Sequence, residues 1–364
     1  MTTATTLKLN LGPQHPSTHG VLRLILELEG EKILSCEPDI GYLHRGMEKM
    51  AEGLTYIQYL PTVDRIDYLA GCFYSELFCR TIENALDVSL SERVRTIRVI
   101  LLELNRIASH LLWIGAFLMD LGAVSPFFYT MREREMILRY FEKLTGQRMM
   151  YNYFVFGGVR KDIDYLEDIE EIINILPSKI NDYERIITDN PIFLRRTKEK
   201  GILEPETAFN NSITGVNLRA SGINYDLRTT DKLYKGFEFT SVVLDGKDTW
   251  ARYKARVLEI LESVNIIKQG LIKLKENQNL EQNLINPLTL KLPEGEYYSE
   301  IEAPRGLASI YIKSIGENKP YRLKWRTGSY YAVNLLRNIL VGKYLNDAIA
   351  IAGSLDIILP EVDK

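Results

Sequence analysis

Two of the chain's four histidines fall in the nine-residue run Gly12-Pro13-Gln14-His15-Pro16-Ser17-Thr18-His19-Gly20. Imidazoles ionise near neutral pH and also ligate metals, so acid–base or metal chemistry would be sought here first. Histidines at i and i+4 share a face only on a helix, and Pro13, Pro16 and the glycines oppose one, while the rest of an H-E-x-x-H motif is missing. The run predicts a hairpin loop whose scaffold fixes His15 and His19, against the alternative of turn histidines bonded to backbone. A second constellation, Asp64-Arg65-Ile66-Asp67-Tyr68-Leu69, reads as the start of a helix. Asp64 and Asp67 suit its N-terminal dipole, and the Tyr68 phenol could donate a hydrogen bond to a carbonyl ligand. Asp120 closes a strongly apolar helix face; a buried carboxylate there needs a partner such as an imidazolium, and the alternative is a plain C-terminal acid.

The elements that carry these groups follow from periodicity. Leu22, Leu24, Leu26 and Leu28 alternate with Arg23, Glu27 and Glu29, with only Ile25 out of step and a turn at Gly30-Glu31, so residues 7–40 predict a small antiparallel sheet. A 3.6-residue period predicts helices over about 47–59, 64–87, 92–121, 126–147 and 165–188, with the third central because Ile97, Ile100, Leu101, Leu104, Ile107, Ala108, Leu111 and Leu112 make one broad apolar face. Residues 200–235 are rich in turn formers. A helix is expected from Thr249 to Lys275, a polar linker or surface excursion from Glu276 to Pro293, then strands near 297–302, 309–314 and 321–326, two short helices and a tail from Asp356. Arg132-Glu133-Arg134-Glu135 reads as a solvated helix face or a buried ion network, and Arg322, Lys324 and Arg326 as the polar side of a half-buried strand.

Composition excludes several classes of function. Apolar residues make up 46% and charged residues 26% of the chain, ordinary for a folded domain, and 45 bases against 48 acids give a net charge of −3, without the basic excess that nucleic-acid binding needs. Three cysteines, none in a C-x-x-C pair, imply a reducing compartment. The stretch MTTATTLKLN has neither a basic nor an apolar signal region, so no secretory or transit segment is expected. The most apolar run, Leu111 to Met119, falls well short of a membrane span. Neither a P-loop nor a Rossmann glycine pattern occurs.

Read together, LNLGPQHPSTHGVLRL, GYLHRGMEK, YLPTVDRIDYLAG, RVILLELNRIASHLLW, PFFYTMRERE, NPIFLRR, LRASGINYDLR, EAPRG and GSLDIILPEVDK closely resemble the quinone-site subunit of respiratory complex I. This is the D-type or 49-kilodalton subunit of NADH-driven complexes and the H-type subunit of the photosynthetic ferredoxin-driven complex. The resemblance runs from about residue 7 to the last. It implies an α+β fold like that of nickel-iron hydrogenase large subunits: an N-terminal sheet with the histidine loop (1–46), a helical core (47–275), and C-terminal strands and short helices (276–364). A hydrogenase itself is excluded, because the two C-x-x-C pairs of that family would fall at Asp67-Tyr68-Leu69-Ala70 and near Ile358 to Glu361, where no cysteine stands. Arg305 matches a hydrogenase arginine beside the vacated metal site.

The resemblance further implies that His19 and Tyr68 hydrogen-bond the two carbonyls of a quinone headgroup and that Asp120 pairs with His19. His15, Arg45, Arg65 and Met150 are implied in cofactor binding, with Arg45 and Arg65 against a terminal iron-sulfur cluster held by an adjoining subunit. Quinone is the implied substrate, with no metal bound by the isolated chain, and the other peripheral-arm and membrane-arm subunits are the implied partners. The complex would pump protons, with this chain on the cytoplasmic or stromal side of an energy-transducing membrane and NADH or ferredoxin as donor. Many NADH-driven members carry histidine at the position of Met150, whereas the photosynthetic branch has methionine. The alternative function is a non-catalytic scaffold derived from a hydrogenase subunit.

Overall fold

Alternation of leucines opens the protein. Leu24, Leu26 and Leu28 are buried along β2 (Arg23–Glu29), which lies between β1 (Thr6–Leu11) and β3 (Lys32–Asp39) in an antiparallel sheet of order β1-β2-β3. A bulge between Glu27 and Leu28 shifts the β2–β3 register. The computed structural model describes residues 6–12 and 20–364, so His15 and His19 lie outside the described residues. On either side of them, Gly12 has φ +93°, where a Cβ would run into the Leu22 carbonyl, and Gly20 lies against Leu359.

The first helical stretch is two helices, α1 (Met47–Gly53) and α2 (Tyr56–Val63). A capping box separates them: Thr55 Oγ1 accepts the Gln58 N–H at 3.4 Å and Gln58 Oε1 accepts the Thr55 N–H at 3.1 Å. The helix expected from 64 starts later, as α3 (Gly71–Ala85). Asp64 and Asp67 therefore do not cap its N-terminus. Asp64 ends α2, and Asp67 folds the intervening turn by accepting the backbone N–H groups of Leu69 (3.0 Å) and Ala70 (3.3 Å). A carboxylate two and three residues ahead of those amides offers the backbone an alternative to helix.

Next come α4 (Glu92–Asp120), α5 (Val124–Thr145), a short hairpin of β4 (Phe154–Val155) and β5 (Gly158–Val159), and α6 (Leu166–Tyr183), which ends in a wide turn through 188. Short helices α7 (Pro191–Thr197), α8 (Pro205–Asn210) and α9 (Gly215–Arg219) lead to α10 (Thr249–Glu276), and α4 packs against α5 and α10 as the central helix. It is long and apolar enough to cross a membrane, which counting consecutive apolar residues did not reveal, yet 89% of that window is buried inside the protein. On α5 the charged run divides: Glu133 is buried and accepts from Arg132 and the Tyr183 hydroxyl (2.9 Å), while Glu135 bonds Arg139 and Arg148 at the surface.

The polar stretch after α10 is a surface excursion fastened to the body, where Asn283 N–H bonds Gly157 O (3.2 Å) and Ile285 N–H bonds Phe156 O (3.1 Å). An antiparallel sheet of β6 (Gly295–Ala303), β7 (Gly306–Ser314) and β8 (Arg322–Arg326) follows, then α11 (Gly328–Ile339), α12 (Leu345–Ser354) and α13 (Leu359–Val362). The larger apolar core joins α1–α6, α10 and this second sheet. A smaller one joins the first sheet to α8, α9 and α11–α13, so the two ends of the chain share a core.

Candidate functional site

Tyr68 sits on the turn between α2 and α3, where Asp64, Arg65, Asp67 and Leu69 are each held by a long-range polar bond. Asn105 on α4 grips it from below, its Nδ2 donating to Leu69 O (2.9 Å) and its Oδ1 accepting from Cys72 N (3.2 Å). Arg305, from the β6–β7 turn, donates Nη1 to Asp67 Oδ2 at 2.5 Å and Nη2 to Ser109 Oγ at 3.0 Å. Asp356 stands 3.5 Å from Arg305 Nε, and Glu361 on α13 accepts from the Tyr74 hydroxyl and the Ser329 N–H. Burial pushes the Asp67 carboxyl up, against the Arg305 charge that opposes it. Tyr68 itself is half-buried; burial and the Asp67 charge push its phenol up, so it is a protonated donor at neutral pH. Asp67 and Glu361, from segments far apart in the chain, thus both act on Arg305.

A cationic face adjoins this turn. Arg45 and Arg65 are both exposed, and Arg45 Nη2 donates to Arg65 O at 2.8 Å. Met150 is half-buried with φ 58°, an uncommon conformation for a side-chain-bearing residue, and its carbonyl accepts from Asn152 Nδ2 at 3.0 Å. The Asn152 N–H in turn bonds Asp64 Oδ2 (3.0 Å), whose carboxyl burial pushes up to about 6. Asp64, a cap by its position in the sequence, therefore ties the Met150 loop to the turn that carries Arg65 and Tyr68.

Asp120 lies at the far end of α4, half-buried, with its carboxylate toward Gly353. About 22 Å of helix separates it from Asn105. The structure brings Tyr68, Arg45, Arg65, Met150 and Arg305 to neighbouring turns, and His19, the partner expected for Asp120, lies outside the described residues. Of the remaining two histidines, His44 precedes Arg45 and is exposed, its Nδ1 3.2 Å from the Asp363 carbonyl oxygen, and His110 is fully buried on α4.

Sequence periodicity missed a buried ionic layer in the middle of α4. Glu103, Arg106 and His110 meet Arg219 of α9, Asp226, Arg228, Glu259 of α10 and Glu302 of β6. Glu259 accepts from Arg219 (2.7 Å) and Arg228 (2.8 Å) and lies 2.6 Å from His110 Nε2. Against the cost of burial, the Arg228, Arg219 and Arg106 charges hold Glu259 well below the usual carboxylate range. The available signal was three buried-face charges, Glu103, Arg106 and His110, recurring at helical spacing.

Residues 120–364 match the family model of the respiratory-chain NADH dehydrogenase 49 kDa subunit. The chain is 44% identical over 388 residues to an H-type subunit of the NAD(P)H-quinone oxidoreductase of Gloeobacter violaceus, covering all of this chain and 99% of that relative. It is 43% identical over 359 residues to the D-type subunit of the NADH-quinone oxidoreductase of Geobacillus kaustophilus, covering 98% and 97% of the two chains. To the D-type subunit of the Dehalococcoides mccartyi (strain BAV1) enzyme it is 44% identical over 361 residues, covering 98% of each. With nine-tenths or more of both chains matched in every case, this protein belongs to the 49 kDa subunit family of the respiratory-chain NADH dehydrogenase and is an oxidoreductase subunit.

Proposed function

We propose that this chain forms one wall of a quinone-reduction cavity in a proton-pumping complex I-type oxidoreductase, as the quinone oxidoreductase names of its relatives suggest. The observation that carries the reading is Tyr68: a half-buried, protonated phenol on a turn locked by Asn105 and by the Asp67–Arg305–Ser109 chain. In this reading Tyr68 donates to one headgroup carbonyl and His19, paired with Asp120, to the other. A quinone that gains two electrons must also gain two protons, so donors at both oxygens stabilise the developing charge and supply those protons. Electrons arrive from an iron-sulfur cluster in the adjoining subunit. Arg45 and Arg65, side by side and without a carboxylate within ion-pair distance among the described residues, suit an anionic neighbour there. The meeting of Asp67 and Glu361 at Arg305 supports descent from a hydrogenase-like fold.

In the assembled complex an azidoquinone photolabel is expected on the 64–70 peptide, displaced by excess quinone. Labelling confined to other parts of this chain would leave the scaffold reading in its place. Met150 bears on the donor: a thioether cannot hold the positive charge that a histidine would offer a reduced cluster, so the cluster's potential is expected to be low and nearly independent of pH, which suits ferredoxin. A redox titration of the cluster's EPR signal at several pH values checks this, and a midpoint falling steadily with pH would contradict it.

A further inference from the structure

The ionic layer behind the Tyr68 turn does not balance. Its contact-linked members are four carboxylates, Glu103, Asp226, Glu259 and Glu302, against three guanidiniums, Arg106, Arg219 and Arg228. The neighbouring set does not make up the difference, since Arg256 and Arg305 face three acids, Asp67, Asp356 and Glu361. Arg252, beyond them, bonds Ser354 Oγ and the Gly201 carbonyl and has Asp248 near it. A surplus negative charge inside a protein is costly and is removed most simply by binding a proton.

Among the four carboxylates of the layer, one oxygen marks where. Glu302 Oε1 accepts from Arg219 Nη1 at 2.6 Å, but its Oε2 is buried without a hydrogen-bond partner among the described residues. The oxygens of Glu103 and Glu259, in contrast, each accept from arginine, histidine, tyrosine or serine. Burial raises Glu302, with Arg219 opposing it and Asp226 adding to it, and burial lowers His110 despite Glu259 beside it, so the proton belongs on the acid. Arg228 and Tyr225 are the other titratable groups facing Glu302, and Arg106 Nη2 donates to its backbone carbonyl at 2.7 Å. Glu302 precedes Arg305 by a single tight turn, and Arg305 clamps Asp67 next to Tyr68.

We propose that Glu302 holds one exchangeable proton for the whole buried layer, so that it sets the charge behind Arg305, and with it the charge facing the Tyr68 site, without touching substrate. It is a positioning residue, and the proposal rests on the quinone reading above. With the proton bound, the layer is neutral; with it lost at high pH, one negative charge stands behind a site that must accommodate more, and turnover declines.

The test uses the assembled complex. Wild-type kcat for quinone reduction is expected to fall on an alkaline limb, and Glu302→Gln, which removes the surplus charge at every pH, is expected to move that limb up by about one pH unit or more with KM unchanged. Glu302→Asp, which keeps an acid, should restore the limb. A Glu302→Gln limb that superimposes on wild type would overturn the proposal. A second readout needs no variant: infrared difference spectra of the oxidised wild-type complex should lose a protonated-carboxyl band as pH is raised through the alkaline limb, and an unchanged carboxyl region would overturn the proposal equally. Tyr68→Phe measured in the same preparation separates the two ideas. If it lowers turnover while Glu302→Gln leaves the limb in place, only the proton store fails; if Tyr68→Phe changes nothing, the quinone reading fails first.

Discussion

The inner face of the first sheet and the middle of α4 are both buried, yet they are held by opposite means. In the sheet, Leu24, Leu26 and Leu28 present an apolar face to Leu335, Leu336 and Ile339 of α11, and removing area there loses burial in proportion. In the middle of α4, carboxylates and guanidiniums occupy the space, and their stability depends on every partner being present. The comparison teaches that a core can be dense without being apolar, and that its charged part lies behind the Tyr68 turn, joined to it through Glu302 and Arg305.

The largest effect is expected where the ionic layer is broken. Glu259→Leu leaves Arg219 and Arg228 short of a partner and should cost about 3–5 kcal/mol, read as a lowered thermal midpoint or loss of this chain from the purified complex. A loss below that of an apolar truncation would erase the contrast. On the other side of the comparison, Leu26→Ala in β2 should cost about 2–4 kcal/mol, with faster hydrogen exchange in β1–β3 while α4 stays protected.

Asp64 sharpens the comparison with pH. Its folded carboxyl lies at about 6, above the ordinary value of 3.8, so the folded chain binds the proton more tightly. The resulting stability is fully present below about pH 4 and is lost as pH rises through about 6, a change of order 1–3 kcal/mol. Asp64→Asn should flatten that dependence in thermal unfolding measured from pH 4 to 7, and an unchanged slope would show that other groups carry it. The smallest effect belongs to the surface: Thr55→Ala removes one half of a capping box and should cost about 1 kcal/mol, seen as fraying of α2 in hydrogen exchange.

What could be read from sequence follows the same division. The alternation in β2 and the apolar periods of α4, α5 and α10 announce themselves because burial of one face imposes a repeat, and their ends fall within a few residues of expectation. The 64–70 turn did not, because an acid before an apolar run looks like a helix cap, and only the distant Arg305 and Asn152 reveal that Asp67 and Asp64 are bound elsewhere. The ionic layer was hidden for a related reason: its members come from α4, α9, α10 and β6, and no local pattern records a meeting across that separation. Tyr68, Arg45, Arg65 and Met150 are pointed to by the family resemblance, and Tyr68 alone also by its chemistry.

The account stands most directly on one hydroxyl. Tyr68→Phe removes the proposed donor while keeping the ring, the turn and the Asp67–Arg305 clamp. Steady-state quinone reduction by the assembled complex, measured across quinone concentrations, is predicted to lose about 10-fold or more in kcat/KM with assembly intact; kinetics that superimpose on the wild type at every concentration would contradict it.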